Sequence, residues 1–141
     1  MCTACKGPQG EPGLPGPSIK NIIINVNKEH WQYTNVNDNN YFFATVDMPE
    51  ITENVFDFGV SKMYRVYDFD NTHATQIELP YVRHKEEFVN NGRVFYTETV
   101  DYEYGIQKLT IFYTESDFNY ENDLSFIPEQ MQFRCTILAN Q

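Results

Sequence analysis

Oxygen-bearing side chains between Ser116 and Glu129 are the first candidates for binding chemistry. They occupy alternate positions, as in a calcium-binding loop: Asp117, Asn119, Glu121 and Asp123. Calcium prefers such carboxylate and amide oxygens. The segment departs from the EF-hand pattern, because its sixth position is Asn122 where glycine is needed and its twelfth is Pro128 where glutamate is needed. We therefore expect an acidic, solvated loop, with a calcium site as the alternative.

A smaller group of oxygen ligands lies in a predicted turn and comprises Asp68, Asp70 and Asn71. The same interpretation applies to it, a solvated turn with a metal site as the alternative. The histidines His30, His73 and His84 are scattered along the chain and lack the paired spacing of zinc ligands. Histidine therefore points to no metal site.

Two pairs of carboxylates, Glu86–Glu87 and Asp101–Glu103, could supply the acid and the base of a glycosidase. Acidic pairs are also common on exposed strand faces, so a hydrolase is kept only as an alternative. The sequence has no Gly-x-Ser-x-Gly motif. Cys135 falls among the apolar positions of a strand pattern, which is typical of a buried, inert thiol. We predict a protein that is not an enzyme and uses no cofactor.

Tyrosine offers the remaining binding chemistry, because its ring can stack on a sugar or fill a protein interface. Aromatic residues make up 16% of the chain, a high fraction. The candidates lie in strand patterns and are Tyr64, Tyr67, Tyr96, Tyr102 and Tyr104, with Tyr113 close by. Glu98 interrupts the apolar positions of the strand that carries three of them. The ligand we expect is a glycan or a protein, and the alternative is that rings of one parity form the core.

The charge of the chain restricts its partners. With 20 acidic and 10 basic residues the net charge is −10. Such a chain repels phosphate backbones and anionic lipid surfaces. We therefore expect no nucleic-acid partner, and contact with a membrane only through a lipid anchor.

The N-terminal residues suggest how such an anchor arises. Small residues at positions 3 and 4 precede Cys5, which resembles the end of a bacterial lipobox. The pattern departs from a lipobox in having Cys2 where leucine is usual and in lacking a preceding apolar stretch. We expect residues 1–6 to be the remnant of a lipoprotein signal and anchor region within a longer precursor, with Cys5 as the lipidated residue. The alternatives are a metal or redox pair formed with Cys2, or cysteines without a role.

A collagen-like segment follows, with glycine at every third position from Gly7 to Gly16 and proline in every triplet. Four triplets are too few to hold a triple helix unaided. We expect residues 7–18 to form a stiff stalk of about 37 Å, at about 3.1 Å per residue in polyproline II. A nucleus for trimer formation is the alternative, if the following domain trimerises, so the protein is expected to be a monomer or a trimer.

Residues 19–141 are predicted to form one all-β domain. Short β-branched and aromatic segments alternate with turn signals, which indicates about eight antiparallel strands. The clearest is the last strand, where Met131, Phe133, Cys135 and Ile137 alternate with polar residues. We expect a β-sandwich, immunoglobulin-like or jelly-roll-like, with Pro80 at a sheet edge.

Local signals refine this prediction. Asn90-Asn91-Gly92 predicts a hairpin with a type I′ turn, in which Asn-Gly supplies the positive φ angles. One short helix is predicted over residues 49–58, with Pro49 at its first position and Gly59 as a left-handed cap.

The whole arrangement resembles a group of uncharacterised lipoproteins from gut Bacteroidetes, with a short collagen-like segment followed by a small β domain. The stretches that carry the likeness are Met48-Pro49-Glu50 through Gly59, Leu79-Pro80-Tyr81, Ser116-Asp117-Phe118, and Pro128-Glu129 with Met131-Gln132-Phe133-Arg134. The resemblance implies an exported, lipid-anchored protein of the cell envelope, at the outer membrane or surface. We expect a stalked binding or structural module, with a trimeric fibre head or a carboxylate-based hydrolase as alternatives.

Overall fold

A computed structural model describes residues 7–36, 39–116 and 127–140 and shows an antiparallel β-sandwich, as predicted. The described strands are β1 (Ser18–Asn27), β2 (Gln32–Val36), β3 (Asn39–Asp47), β4 (Val60–Tyr67), β5 (Thr75–Glu78), β6 (Tyr81–Val89), β7 (Gly92–Gly105), β8 (Lys108–Glu115) and β9 (Gln130–Ala139). One helix, α1 (Glu53–Phe58), and one 3-10 turn (Lys28–His30) lie between them. Sheet A has the order β1-β9-β4-β5, and sheet B has the order β2-β3-β8-β7-β6.

The inner faces of the two sheets enclose one apolar core. The alternation in β9 is confirmed, because its four apolar side chains are all buried while Gln132, Arg134 and Thr136 are half-buried. Sheet B contributes the buried side chains of Phe42, Ala44, Val100, Leu109, Ile111 and Tyr113. Burying each large apolar side chain contributes roughly 1.5–3 kcal/mol, so the alternation of β9 sets which face of sheet A packs on sheet B.

The chain passes from sheet A to sheet B at Pro80. β5 is the edge strand of sheet A, β6 is the edge strand of sheet B, and the cis peptide bond between Leu79 and Pro80 joins them. The predicted edge position of Pro80 is therefore confirmed. Proline has no N–H to donate to a ladder, so a crossing point between two edges accommodates it.

The hairpin of β6 and β7 forms as predicted, but its turn residues differ. Val89 pairs with Gly92, which leaves Asn90 and Asn91 as the two central residues, with φ angles of 49° and 65°. The prediction that Asn-Gly supplies these angles was wrong by one position. Asparagine tolerates the left-handed region better than most residues, so the turn does not need glycine.

The predicted helix over residues 49–58 is shorter than expected. α1 begins at Glu53, because the Thr52 hydroxyl caps it by accepting from the N–H of Val55 at 3.3 Å. Gly59 has φ −100° and is not a left-handed cap. Glycine is needed there for space, since a Cβ atom would lie 2.8 Å from the Val55 carbonyl oxygen and 2.9 Å from that of Leu138.

Candidate functional site

The outer face of sheet B carries three aromatic rings on its two neighbouring strands β3 and β8. Tyr41 and Phe43 alternate along β3, and Phe112 lies on β8 directly opposite Phe43. All three side chains are half-buried. The ring centroids of Tyr41 and Phe112 are 5.6 Å apart at an interplanar angle of 74°, and those of Tyr41 and Phe43 are 6.3 Å apart at 61°. These edge-to-face contacts hold the rings in place on an exposed surface.

Oxygen-bearing side chains from β7 and β8 flank the rings. Asp101 lies opposite Phe112, and Glu103 lies opposite Thr110. Both carboxylates are exposed, and neither forms a salt bridge within the described part of the chain. We call these rings and oxygens, on the outer side of β3, β8 and β7, the aromatic face.

Two shallow depressions cross the aromatic face and share the rings of Tyr41 and Phe112. The larger has a volume of about 320 Å³ and is lined by Tyr41, Asp101, Phe112 and Thr114. The smaller has a volume of about 230 Å³ and is lined by Tyr41, Phe43, Thr45, Glu103, Thr110 and Phe112. Each depression therefore combines apolar ring surface with hydroxyl and carboxylate oxygens.

The two carboxylates of the aromatic face influence each other. Partial desolvation of Asp101, together with the negative charge of Glu103, raises the pKa of the Asp101 carboxyl group. A raised pKa means that the Asp101 carboxyl group keeps its proton to a higher pH than an ordinary aspartate does. The face thus presents oxygens suited to the hydroxyl groups of a ligand.

A second group of polar side chains is buried between the sheets, and we call it the buried polar network. Glu98 lies at its centre and is only 2% exposed. Its Oε1 accepts from the Tyr81 hydroxyl at 2.8 Å and from Arg65 Nη1 at 3.3 Å. Its Oε2 accepts from the Tyr113 hydroxyl at 2.7 Å and from Lys85 Nζ.

The protonation of Glu98 follows from these contacts. Burial raises the pKa of its carboxyl group, but the hydrogen bonds from Lys85, Tyr113 and Tyr81 outweigh burial and lower the pKa overall. Glu98 is therefore a buried carboxylate held in its charged form by four donors. Because Arg65 belongs to β4 and Glu98 to β7, the ion pair joins sheet A to sheet B.

The hydroxyl group of Tyr113 lies between two carboxyl groups. It is 2.7 Å from Glu98 Oε2 and 2.8 Å from Glu115 Oε1. A tyrosine hydroxyl has one proton, so it can donate to only one of the two. Burial raises the pKa of Glu115. A protonated Glu115 that donates to Tyr113, which donates in turn to Glu98, satisfies all three groups.

The tyrosines predicted as binding residues fall into separate regions. Tyr67 belongs to the buried polar network, where its ring lies 4.5 Å from the guanidinium carbons of both Arg65 and Arg83. Its hydroxyl donates to Tyr81 at 3.0 Å. Tyr64 lies on the outer face of sheet A under Arg134, at 4.6 Å.

The other three predicted tyrosines lie along β7. The Tyr96 hydroxyl donates to Glu87 at 2.9 Å in the hairpin. Tyr102 and Tyr104 stack on each other with ring centroids 6.4 Å apart, and the Tyr102 hydroxyl donates to the Ser61 carbonyl. The structure thus does not bring the five predicted rings together on one surface.

The predicted metal ligands give no site in the described chain. The four candidate calcium ligands, Asp117, Asn119, Glu121 and Asp123, lie outside the described residues, as does Cys5, the predicted lipid anchor. Asp68, Asp70 and Asn71 line an open depression in the loop between β4 and β5. Among the described residues no group of three histidine, cysteine or acidic side chains could hold a metal ion.

The rings of the aromatic face were missed by sequence reasoning, whereas its carboxylates, Asp101 and Glu103, were named as a candidate pair. Tyr41, Phe42 and Phe43 are consecutive aromatics, so the pattern of β3 does not tell which parity faces outward. Glu98 did leave a signal, because it interrupts an apolar parity. Its partners could not be identified, since they come from three other strands, β4, β6 and β8, whose register with β7 the sequence pattern does not define.

Comparisons with protein-family models, curated proteins and solved structures gave no match. Within the described residues no helix is long and apolar enough to span a membrane.

Proposed function

We propose that the protein is a binding module of the cell envelope that recognises uncharged glycans at the aromatic face. The observation that carries the proposal is the alternation of ring surface and oxygens around Tyr41, Phe43 and Phe112. A sugar has apolar C–H faces that pack on rings and hydroxyl groups that need acceptors. A depression with apolar walls and a few convergent polar groups is the usual form of a small-ligand site.

The negative charge of the aromatic face limits which class of glycan can bind there. Asp101 and Glu103 place two carboxylates on the aromatic face of a chain whose net charge is −10. They accept hydrogen bonds from neutral hydroxyl groups but repel uronates, sulfates and phosphates. Uncharged sugars are therefore the expected class of ligand. Nucleic acid is not expected to bind, because its phosphates would be repelled in the same way.

The resemblance to a lipobox supports anchoring through Cys5, and the collagen-like segment supports display on a stalk of residues 7–18. The segment enters the domain at β1, which belongs to sheet A. The aromatic face belongs to the opposite sheet, so the anchor and the ligand use different sides of the domain.

Hydrolysis at the same face is the second candidate function. It is favoured by the raised pKa of Asp101 beside Glu103, because a glycosidase needs one carboxyl group that keeps its proton. Binding without cleavage is preferred because both carboxylates are exposed, whereas an acid catalyst usually lies in a water-excluding cleft.

Calorimetric titration of the full chain with oligosaccharides tests the proposal. Suitable probes are xylohexaose, mannohexaose, cellohexaose and chitohexaose, with oligogalacturonate as the acidic counterpart. We expect at least one uncharged probe to bind and oligogalacturonate not to bind. Failure of every uncharged probe would refute glycan recognition and leave a protein as the ligand. Release of new reducing ends from a bound probe would replace binding by hydrolysis.

A further inference from the structure

The glycine period of the collagen-like segment has no cause within a single chain. A Cβ atom added to Gly7, Gly10, Gly13 or Gly16 would meet nothing within 4 Å. None of the described glycines has a positive φ angle, so the backbone conformation does not require glycine either. In a collagen triple helix glycine is needed at every third position, because only glycine fits at the crowded axis between three chains. The period therefore points to two further copies of the chain.

The domain carries an exposed apolar row where this segment joins it. Ile19 on β1 pairs with Leu138 on β9, which also pairs with Val60 on β4. Their side chains point away from the core and are 68%, 39% and 47% exposed. Together they form a continuous row across three strands of sheet A, which we call the stalk-proximal row. Phe58, two residues before Val60, is 79% exposed.

The next positions on the same outer face differ from this row in character. Asn21 accepts from the Thr136 hydroxyl at 2.7 Å, and Asn25 accepts from Gln132 at 3.0 Å. Ile23 is exposed on this face as well, but its cross-strand neighbour is Arg134. The continuous apolar row thus occurs at the end of sheet A that the collagen-like segment reaches.

Chain continuity determines what can cover the row. A triple helix ending at residue 17 would bring residue 18 of three copies close to one axis, because the three chains wind around that axis. Ser18 is the first residue of β1, which is an edge strand of sheet A among the described strands. The rows that begin at Ile19 would then face one another around the axis.

We propose that the protein is a homotrimer in which residues 7–17 form a short triple helix and the stalk-proximal row packs against the rows of two other copies. Four triplets cannot hold three chains together alone, and the row supplies the missing apolar contact. The proposal does not rest on glycan recognition. It would add to it, because three aromatic faces on one stalk bind a repeating glycan with increased avidity.

Light scattering on the full chain, coupled to size exclusion, tests the proposal with matched variants. The wild type is expected to show three times the chain mass of 16.6 kDa. Ile19→Glu should give the mass of a single chain, because it places a charge in the row. Ile23→Glu is the control, since it makes the same change on the same strand and face but beside Arg134. Circular dichroism checks that both variants keep the strand signal.

Gly13→Ala tests the triple helix separately. A single-chain stalk has room for the added methyl group. A triple helix has not, so the variant trimer should dissociate at a lower temperature than the wild type. A monomeric wild type, or a trimer that survives Ile19→Glu in folded form, would overturn the proposed interface. Unchanged dissociation of Gly13→Ala would overturn the triple helix.

Discussion

The outer face of sheet A and the aromatic face of sheet B differ in how their carboxylates are paired. On sheet A, side chains satisfy each other across strands, as in the pairs of Asn21 with Thr136 and of Lys62 with Glu78. On the aromatic face of sheet B, the carboxylates of Asp101 and Glu103 have no salt-bridge partner within the described residues, and rings lie between them and the sheet edge. A polar face that is already paired offers little to a ligand, whereas rings beside carboxylates that lack a salt-bridge partner are open to one.

The difference also shows that an aromatic side chain is not sufficient for a binding surface. Tyr64 on sheet A is covered by the guanidinium group of Arg134. Tyr41 on sheet B is held by neighbouring rings and lines both depressions. What surrounds each ring therefore decides whether it can meet a ligand.

Strand β7 carries acidic side chains on both sides of sheet B, with Glu98 on the inner side and Glu103 on the outer side. Glu98→Gln should destabilise the protein by about 3–5 kcal/mol, because it leaves Arg65 and Lys85 without their buried carboxylate. Glu103→Gln, the control on the outer side, should change stability by less than about 0.5 kcal/mol. Urea unfolding measures both variants. Equal losses of stability in the two variants would contradict the structural role given to the buried carboxylate of Glu98.

Ring removal tests the contrast between the faces directly. Phe112→Ala should weaken binding of an uncharged oligosaccharide by about 10-fold or more, as expected for a central aromatic contact. Tyr64→Ala should leave the affinity within about 2-fold, since its ring lies on the other sheet. Calorimetry with the best-binding hexasaccharide gives both values. A larger loss from Tyr64→Ala would place the ligand on sheet A.

The pH dependence of stability separates the two buried carboxyl groups. The lowered pKa of Glu98 means that its contribution is present above its usual pKa of 4.5 and is lost as the pH falls further. The raised pKa of Glu115 has the opposite sign, so its contribution is present below 4.5 and is lost as the pH rises. Glu115→Gln should therefore remove a loss of stability between acidic and neutral pH. Unfolding curves at several pH values should show that the stability of the wild type, relative to that of the variant, decreases as the pH rises from acidic to neutral.

The smallest expected effect concerns Asp101. Its raised pKa means that the charged form is disfavoured in the folded protein, so stability is lost as the pH rises through that pKa. Asp101→Asn should thus stabilise the protein at neutral pH, by less than about 0.5 kcal/mol because the side chain is exposed and screened. Thermal unfolding at pH 7 measures the gain. A loss of stability would mean that the Asp101 carboxylate has a favourable partner.

The sequence predicts the sandwich because the strands that face water on one side alternate visibly, as β9 does. It does not predict the start of α1, because the choice between Pro49 and Glu53 depends on the Thr52 cap. It does not predict the aromatic face either, since the three consecutive aromatics of β3 leave the outward parity open. The partners of Glu98 come from β4, β6 and β8, and only the assembled sheets bring them together.

Whether an uncharged glycan binds at the aromatic face is tested most directly by mapping the ligand on the protein with amide chemical shifts. Labelled full-length protein would be titrated with the uncharged hexasaccharide that binds best. Binding at the aromatic face should give the largest shifts on β3 and β8 around Tyr41, Phe43 and Phe112, extending to Asp101 on β7. Shifts centred on the outer face of sheet A, around Tyr64 and Arg134, would contradict it.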